Sequence, residues 1–186
     1  MRIISGTARG RQLATFSGKD IRPTPDRVRE ALFSKLTSRL GSFNGLKVLE
    51  LLAGSGAQAL EALSRGAASA VLVDSGRVAT ETIRENIKRC RCAERAKFIA
   101  QDVYKALPAL VSAAPFDLIL LDPPYRMNHI PRVIEIIESL NLLAEHGIIC
   151  AESAKGEECG EFSTLTLIDS RAYGTTQVHL YAHPEV

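Results

Sequence analysis

From Gly45 onward, the sequence alternates short apolar runs with helix-like stretches. The runs have the length and the continuous hydrophobic character of strands that are buried on both faces. They are residues 47–52, 70–74, 97–102, 116–122 and 147–153. The stretches between them repeat apolar residues every three or four positions, as amphipathic helices do. This alternation predicts an α/β fold of the Rossmann-like kind, with a mostly parallel central sheet and helices on both faces.

Both ends of the sequence depart from this alternation. Residues 163–169 and 176–182 are two β-rich runs joined by a turn-like segment, which predicts a C-terminal antiparallel hairpin. Residues 2–4 and 11–16 flank a glycine-containing loop, which predicts a small N-terminal hairpin. A helix is expected after it, because Thr24 is a favourable N-cap.

The expected N-terminal helix has one apolar stripe, which predicts that Arg27, Arg29 and Lys35 lie off its buried face. The stripe consists of Val28, Ala31, Leu32, Leu36 and Leu40. A hairpin this small is not stable alone. We therefore expect residues 1–40 to form an appendage packed on a core domain of residues 41–186.

Charge is distributed unevenly along the chain. Residues 1–40 contain nine basic and three acidic residues, a net charge of +6, whereas the whole chain has +2. A basic segment on an acidic body predicts contact with a polyanion, since Lys and Arg on phosphates gain affinity through counterion release. A merely solvated arm is the alternative.

The bulk composition is that of a globular protein, with 46% hydrophobic and 24% charged residues. No apolar run approaches the length that a bilayer requires, and no secretory signal pattern is present. We expect a cytoplasmic protein, without a membrane partner, that need not be more than a monomer. The four cysteines and four histidines lack metal-ligand spacing, so we expect reduced thiols and no metal site.

Glycines follow the first expected strand, in the sequence Ala53-Gly54-Ser55-Gly56. Glycines there bring backbone N–H groups close to a ligand at a helix N-terminus. Asp74 ends the next strand 20 positions beyond Gly54, where an acid can bind ribose hydroxyls. The pattern indicates a nucleoside cofactor, and Ala59 keeps a dinucleotide such as NAD open.

The fourth expected strand ends in Asp122-Pro123-Pro124-Tyr125. Prolines cannot extend a strand ladder, so this segment is a stiff loop at the edge where open α/β sheets bind ligands. Together with the glycine segment, it resembles the S-adenosylmethionine-dependent methyltransferases that modify exocyclic amino groups of nucleic-acid bases.

That resemblance has a physical reason. The lone pair of an exocyclic amine is delocalised into the base, so the enzyme must localise it. A carboxylate from Asp122 and a carbonyl of the proline loop, expected at Pro123, can accept the two N–H groups, while Tyr125 stacks on the base. Pro124 stiffens the loop, and the positioned amine then faces the sulfonium methyl.

The resemblance extends over nearly the whole chain and is most specific to the RsmD-type enzymes. The matching segments are "MRIISGTARGRQL", "IRPTPDRVREALF", "AGSGAQALEALSRGA", "LLDPPY" and "YGTT". RsmD-type enzymes methylate the N2 amine of a guanine in bacterial 16S ribosomal RNA, guanine 966 in the family. The resemblance implies the cofactor S-adenosylmethionine, the product S-adenosylhomocysteine, and 16S rRNA or the assembling small subunit as partner.

The resemblance also implies roles for individual residues. Residues 53–56 would approach the methionine part of the cofactor, Asp74 the ribose, Asp102 the adenine, and Glu50 the amino group. Asp122, Pro123, Pro124 and Tyr125 would form the target-amine site. The RNA-binding residues implied in the basic segment are Arg9, Arg11, Arg22, Thr24 and Arg27.

Three positions depart from the family pattern. Glu50 stands where Asp is usual and is one methylene longer, so its contact with the cofactor is expected to be displaced or bridged by water. Asp74 stands where Glu is usual, which shortens the reach to the ribose. Gln58 and Ala59 replace Leu and Gly.

Other functions remain as alternatives. A DNA adenine-N6 or cytosine-N4 methyltransferase uses the same amine chemistry, but such enzymes commonly carry a separate target-recognition region. A glutamine-modifying methyltransferase generally has Asn in place of Asp122. An NAD-dependent oxidoreductase and a catalytically silent RNA-binding module are the alternatives from other classes.

Overall fold

The computed structural model describes residues 1–15 and 26–184. Its strands are β1 (Lys47–Leu51), β2 (Ser69–Asp74), β3 (Ala96–Ala100), β4 (Phe116–Leu121), β5 (Leu143–Ala154), β6 (Thr166–Tyr173) and β7 (Thr176–Ala182). Its α-helices are α1 (Asp26–Leu40), α2 (Ala57–Ser64), α3 (Arg77–Cys90), α4 (Val103–Ala106) and α5 (His129–Ser139). A 3-10 helix, Leu107–Ser112, follows α4.

All seven of these strands join one sheet in the order β3-β2-β1-β4-β5-β7-β6. Strands β1 to β5 are parallel, and β7 pairs antiparallel with both β5 and β6. The predicted α/β fold and the C-terminal hairpin are thus confirmed. The predicted strand positions agree within one or two residues except at β5, which begins four residues earlier than expected, and at β6, which begins three residues later and ends four residues later. A register irregularity between β4 and β5 accompanies that extension.

Alternate residues of each central strand face opposite sides of the sheet, as strand geometry requires. Val48, Leu72 and Leu118 pack on the side covered by α1, α2 and α3. Leu49, Val73 and Ile119 pack on the side covered by α4 and α5. The chain therefore has an apolar layer on each face of the sheet.

The N-terminal segment packs on the first of these layers. Arg2 forms an antiparallel bridge with Gln12, so the predicted hairpin is present in its shortest form. Ile3 and Leu13 are buried in the same apolar cluster as Leu36 and Leu60. The carboxylate of Glu61, on α2, accepts the backbone N–H groups of Ile4 and Ser5 at 2.8 and 3.0 Å. The domain boundary near residue 40 stays a prediction.

The prediction that Arg29 lies off the buried face of α1 is wrong. Arg29 is only 1% exposed, and its Nη2 donates to the Arg2 carbonyl and to Asp26. Burial lowers its pKa, while the negative charges of Glu61 and Asp26 oppose that effect. The nearby acids and carbonyl make burial of the guanidinium tolerable. Arg27 is exposed as predicted, and Lys35 is part-buried in an ion pair with Asp169 on β6 at 2.7 Å.

None of the helices in residues 1–15 and 26–184 has the length and apolar character needed to cross a bilayer. The four cysteines are buried and unpaired. Within the same residues, no group of three or more His, Cys, Asp or Glu side chains is arranged to hold a metal ion.

Candidate active site

The polar segments predicted from the sequence meet at the carboxyl edge of the parallel strands. The chain runs from β1 outward through β2 to β3, then returns to the other side of β1 with β4 and β5. The strand order therefore reverses between β1 and β4, and the crevice at such a reversal is where open α/β sheets bind ligands. The glycine loop (residues 53–56) and the D-P-P-Y loop (residues 122–125) follow β1 and β4 and border this crevice.

Asp74 holds the glycine loop in place from the end of β2. Its Oδ2 accepts the N–H of Gly54 at 2.9 Å, and its Oδ1 accepts the N–H of Gly76 at 2.7 Å. Gly56 has φ 72°, and a Cβ there would lie 2.7 Å from Leu72 Cδ2, so a side chain is excluded. Each carboxylate oxygen keeps a second lone pair, so the part-buried Asp74 can still accept a ribose hydroxyl.

Glu50 lies beneath the glycine loop and is 5% exposed. Its Oε2 accepts the N–H of Ala59 in the first turn of α2, at 2.9 Å. Burial raises the pKa of Glu50 to about 8, the backbone hydrogen bond opposes that rise, and the nearby charge of Asp122 adds to it. Such a carboxyl group takes up negative charge readily when a cation comes next to it.

Asp122 lies just after β4 and is open to the crevice. Desolvation by the protein around it raises the pKa of Asp122 to about 6. Pro123 behind it is buried, whereas Pro124 is exposed. An aspartate in this position is ionised at neutral pH and is a stronger base than an ordinary aspartate.

Tyr125 presents its ring at the open side of the crevice and is 39% exposed. Its hydroxyl is hydrogen-bonded to Thr176 Oγ1 at 2.9 Å, and burial of part of the side chain raises its pKa. Thr176 belongs to the late "YGTT" segment at the start of β7. The C-terminal hairpin thus fixes the orientation of the aromatic ring.

Asp102 is the N-cap of α4, after β3. Its Oδ1 accepts the N–H groups of Tyr104 at 3.0 Å and Lys105 at 3.3 Å. Asp102 is exposed at the same edge of the sheet as Asp74. Its expected contact with adenine stays a prediction.

Two of the predicted RNA-binding residues, Arg9 and Arg11, lie against helices α2 and α3 and not at the D-P-P-Y loop. Arg9 lies in the turn of the N-terminal hairpin, where Thr7 N donates to Ser64 O at the far end of α2. Arg11 donates to the Arg89 carbonyl near the end of α3. Arg22 and Thr24 lie outside the described residues. Their RNA contacts, and that of Arg27, stay predictions.

Asn86 is a site residue that sequence reasoning missed. It is fully buried on α3, and its Nδ2 donates to Ser55 O at 2.9 Å and to Ala14 O at 3.0 Å. Its Oδ1 accepts the N–H of Ala14 at 2.6 Å. The signal available in the sequence was an amide on the apolar face that contains Ile83 and Ile87. Asn86 joins the N-terminal segment to the glycine loop.

A second missed feature is the buried pair Gln58 and Glu152. Gln58 Nε2 donates to Glu152 Oε1 at 2.6 Å, and both side chains are less than a tenth exposed. Glu152 follows Ala151, the register partner of Leu121, so it lies next to Asp122 across the two strands. Gln58, one of the departures from the family pattern, therefore has a structural partner on β5.

Glu157 supports the exit of the D-P-P-Y loop. Its Oε1 accepts the N–H of Arg126 at 2.9 Å, and its Oε2 accepts the N–H of Ala154 at 3.1 Å. No local pattern in the sequence predicts this contact, because Arg126 and Glu157 are 31 positions apart. The carboxylate ties the exit of the loop to the end of β5.

The chain is similar to known proteins over most of its length. The profile of the family described as Conserved hypothetical protein 95 matches residues 1–182. Ribosomal RNA small subunit methyltransferase D of Haemophilus influenzae is 30% identical over 182 residues, which cover 97% of this chain and 93% of that protein. The protein of the same name from Escherichia coli K12 is 34% identical over 153 residues, covering 82% and 74%.

Solved structures show the same architecture. A hypothetical protein from Thermus thermophilus superimposes with a TM-score of 0.81 at 31% identity, covering 97% of this chain and 98% of that one. The fold is that of the class I methyltransferases. The predicted family is thereby confirmed: the chain belongs to the Conserved hypothetical protein 95 family, that of the RsmD-type methyltransferases.

Proposed function

We propose that this protein transfers a methyl group from S-adenosylmethionine to the N2 amine of a guanine in 16S rRNA, guanine 966 in the family. Methyl transfer to ribosomal RNA is the activity for which the curated relatives are named. The observation that carries the proposal is the position of Asp122, with an elevated pKa, in the same crevice as the glycine loop and Asp74. Membership of a methyltransferase family replaces the alternative of an NAD-dependent oxidoreductase.

The residues of the crevice fit S-adenosylmethionine. Asp74 has lone pairs left for ribose hydroxyls, and the glycine loop lets a ligand approach the backbone closely. Glu50 offers a carboxyl group that a cationic amino group would ionise, directly or through water. When bound, the cofactor supplies a methyl group on a positively charged sulfur. Transfer of that methyl group leaves S-adenosylhomocysteine as the product.

The D-P-P-Y loop prepares the amine. Asp122 accepts one N–H of the exocyclic amine, and the carbonyl of Pro123 accepts the other, so the nitrogen becomes tetrahedral and its lone pair is no longer delocalised into the base. The ring of Tyr125, fixed by Thr176, stacks on the base. As the new C–N bond forms and the C–S bond breaks, the amine nitrogen becomes positive and loses a proton, which Asp122, hydrogen-bonded to that nitrogen, accepts.

The experiment is a methylation assay with methyl-labelled S-adenosylmethionine. Undermethylated small ribosomal subunits, their extracted RNA and duplex DNA are offered in parallel, and the modified nucleoside is identified by mass. We expect N2-methylguanosine from the subunits or their RNA and no label on DNA. Label on DNA adenine or cytosine, or no transfer to any substrate despite cofactor binding, would overturn the proposal.

Two variants sharpen the assay. Asp122→Ala should abolish transfer while the protein still binds S-adenosylhomocysteine. Glu94→Gln changes an exposed acid in the turn before β3 and serves as the control that retains activity.

A further inference from the structure

A cavity of about 300 Å³ lies beside the exit of the D-P-P-Y loop, outside the cofactor crevice. One wall is formed by Arg126 and Asn128, and the other by residues 154–158, which follow β5. Its volume falls at the lower end of the range for small-molecule and nucleotide pockets. None of the roles assigned so far uses this cavity.

Two cations line the cavity without being committed elsewhere. Arg126 and Lys155 are exposed, and within residues 1–15 and 26–184 neither side chain forms an ion pair or a hydrogen bond. Lys35, by contrast, is held in an ion pair with Asp169. Unpaired cations at a cavity wall are available to an anionic ligand.

The acidic residues of the lining oppose an anion less than their number suggests. Glu157 accepts backbone N–H groups with both carboxylate oxygens, so its charge is turned into the wall and partly balanced by those amides. Glu158 is exposed, so water screens its charge. Asn128 adds an amide that can donate and accept toward a base edge.

The cavity lies beside the proposed position of the target base, because one of its wall residues is the chain neighbour of Tyr125. Arg126 directly follows Tyr125, on which the proposed target base stacks. On the other wall, Ala154 is the register partner of Thr176, which holds the Tyr125 hydroxyl. An RNA strand whose base lies on Tyr125 therefore has its neighbouring sugar and phosphate within reach of Arg126 and Lys155.

We propose that this cavity binds the nucleotide adjacent to the target guanine, with Arg126 and Lys155 on its phosphate and Asn128 at its base. This inference rests on the proposed function, since it presupposes an RNA whose target base lies at the D-P-P-Y loop. Sequence-tolerant phosphate contacts of this kind fix the register of a nucleic acid on its protein. They also hold the strand while the target base is turned out of its stack.

The test compares Arg126→Gln and Lys155→Gln with two matched controls. Arg91→Gln is the control for Arg126→Gln, because Arg91 and Arg126 are exposed and have left-handed backbone, with φ 52° and 61° respectively. Lys97→Gln is the control for Lys155→Gln, because Lys97 is exposed on β3, at the opposite end of the parallel strands. Neither control residue belongs to the site.

Equilibrium binding of the substrate RNA, with S-adenosylhomocysteine present, is measured over a range of salt concentrations. Each cavity variant should weaken RNA binding by roughly tenfold and lower the slope of log K against log salt by about one, as expected for a lost phosphate contact. S-adenosylhomocysteine affinity should stay as in the unmodified protein. Unchanged RNA affinity and slope, or an equal effect in the control variants, would overturn the proposal.

A modified RNA identifies the phosphate itself. Replacing the phosphate on one side of the target guanine with a neutral methylphosphonate should weaken binding to the unmodified protein by the same factor as Arg126→Gln. The Arg126→Gln variant should bind the modified RNA almost as tightly as it binds the unmodified RNA. Full additivity at both flanking phosphates would contradict the contact.

This design separates the inference from the function on which it rests. The binding measurements require no methyl transfer, whereas the proposed function is decided by which nucleoside becomes labelled. If the protein binds RNA through the cavity but labels no guanine, the cavity proposal stands and the proposed function is overturned. If the protein labels guanine N2 and the cavity variants bind RNA as the unmodified protein does, the proposed function stands and the cavity proposal is overturned.

Discussion

The glycine loop and the D-P-P-Y loop border the same crevice but are held in different ways. The glycine loop and the helix that follows it are fixed by three side chains with low exposure, Glu50, Asp74 and Asn86, which bond to backbone groups. The D-P-P-Y loop is fixed from its far end by Thr176 and Glu157, while Asp122 and Tyr125 stay open. The difference matches the ligands: a small cofactor of constant shape suits a preorganised cradle, whereas an RNA arrives from outside and needs accessible groups.

The largest effect is expected from Asp122→Asn, which removes the carboxylate from the open loop and keeps its size. We expect kcat to fall by about 100-fold or more, because the amine loses its charged acceptor. S-adenosylhomocysteine affinity should change little, if the two loops act separately. Single-turnover methylation and calorimetric binding are the measurements.

The same variant carries a pH test. With the pKa of Asp122 raised to about 6, the carboxyl group is protonated below that pH and loses its function as an acceptor. The rate should therefore rise with pH through about 6 and level off above it. Asp122→Asn should lack this rise; a rise that persists in the variant would assign it to another group.

Asn86→Ala tests the cradle of the glycine loop. It removes three hydrogen bonds of a fully buried amide and leaves their backbone partners unpaired. We expect the free energy of unfolding to fall by about 2–4 kcal/mol, measured by urea denaturation. Cofactor affinity should fall with it, because Ser55 loses its support. Gln101→Ala, at an exposed position, is the control and should change stability by less than about 0.5 kcal/mol.

Proton release on cofactor binding tests the charge of Glu50. Its pKa of about 8 means that the carboxyl group is mostly protonated at pH 7 in the free protein. A bound ammonium group lowers that pKa, so binding should release up to about one proton at pH 7, and affinity should increase as pH rises toward 8. Calorimetry in buffers of different ionisation enthalpy measures the release. Glu50→Gln should remove it, and an unchanged release in that variant would contradict the assignment.

The smallest effect is expected from the bond between Tyr125 and Thr176. Thr176→Val removes the partner of the Tyr125 hydroxyl, and we expect kcat to fall about fivefold, as for one lost hydrogen bond. Tyr125→Phe should have a similar effect, and the two changes together should cost no more than either alone. Thr175→Val, at the neighbouring exposed position, is the control. Additive losses in the double variant would show that the hydroxyls act independently.

Features predicted correctly from the sequence depend on local chemistry. Continuous apolar runs identified β1 to β4, and the restricted backbone of Pro123 and Pro124 identified the loop that follows β4. Arg29 was assigned to the wrong face of its helix, and the roles of Asn86 and Glu157 were missed, because their partners are distant in sequence. Sequence alone predicts that Arg29 is a surface residue, because it does not show that the Arg2 carbonyl and Glu61 lie beside it. Long-range polar partners leave no periodic pattern, so they required the structure.

The attachment of the N-terminal hairpin has a consequence for the order of folding. Its bonds to Glu61, Ser64 and Asn86 join residues that are 56 to 72 positions apart. Because synthesis runs from the N-terminus, residues 3–14 are made well before the helices α2 and α3 that complete them. Ile3 and Leu13 therefore lack part of their apolar cluster, Leu60 among it, until those helices emerge and form. The hairpin is made early, but its bonds to α2 and α3 require residues that are made later.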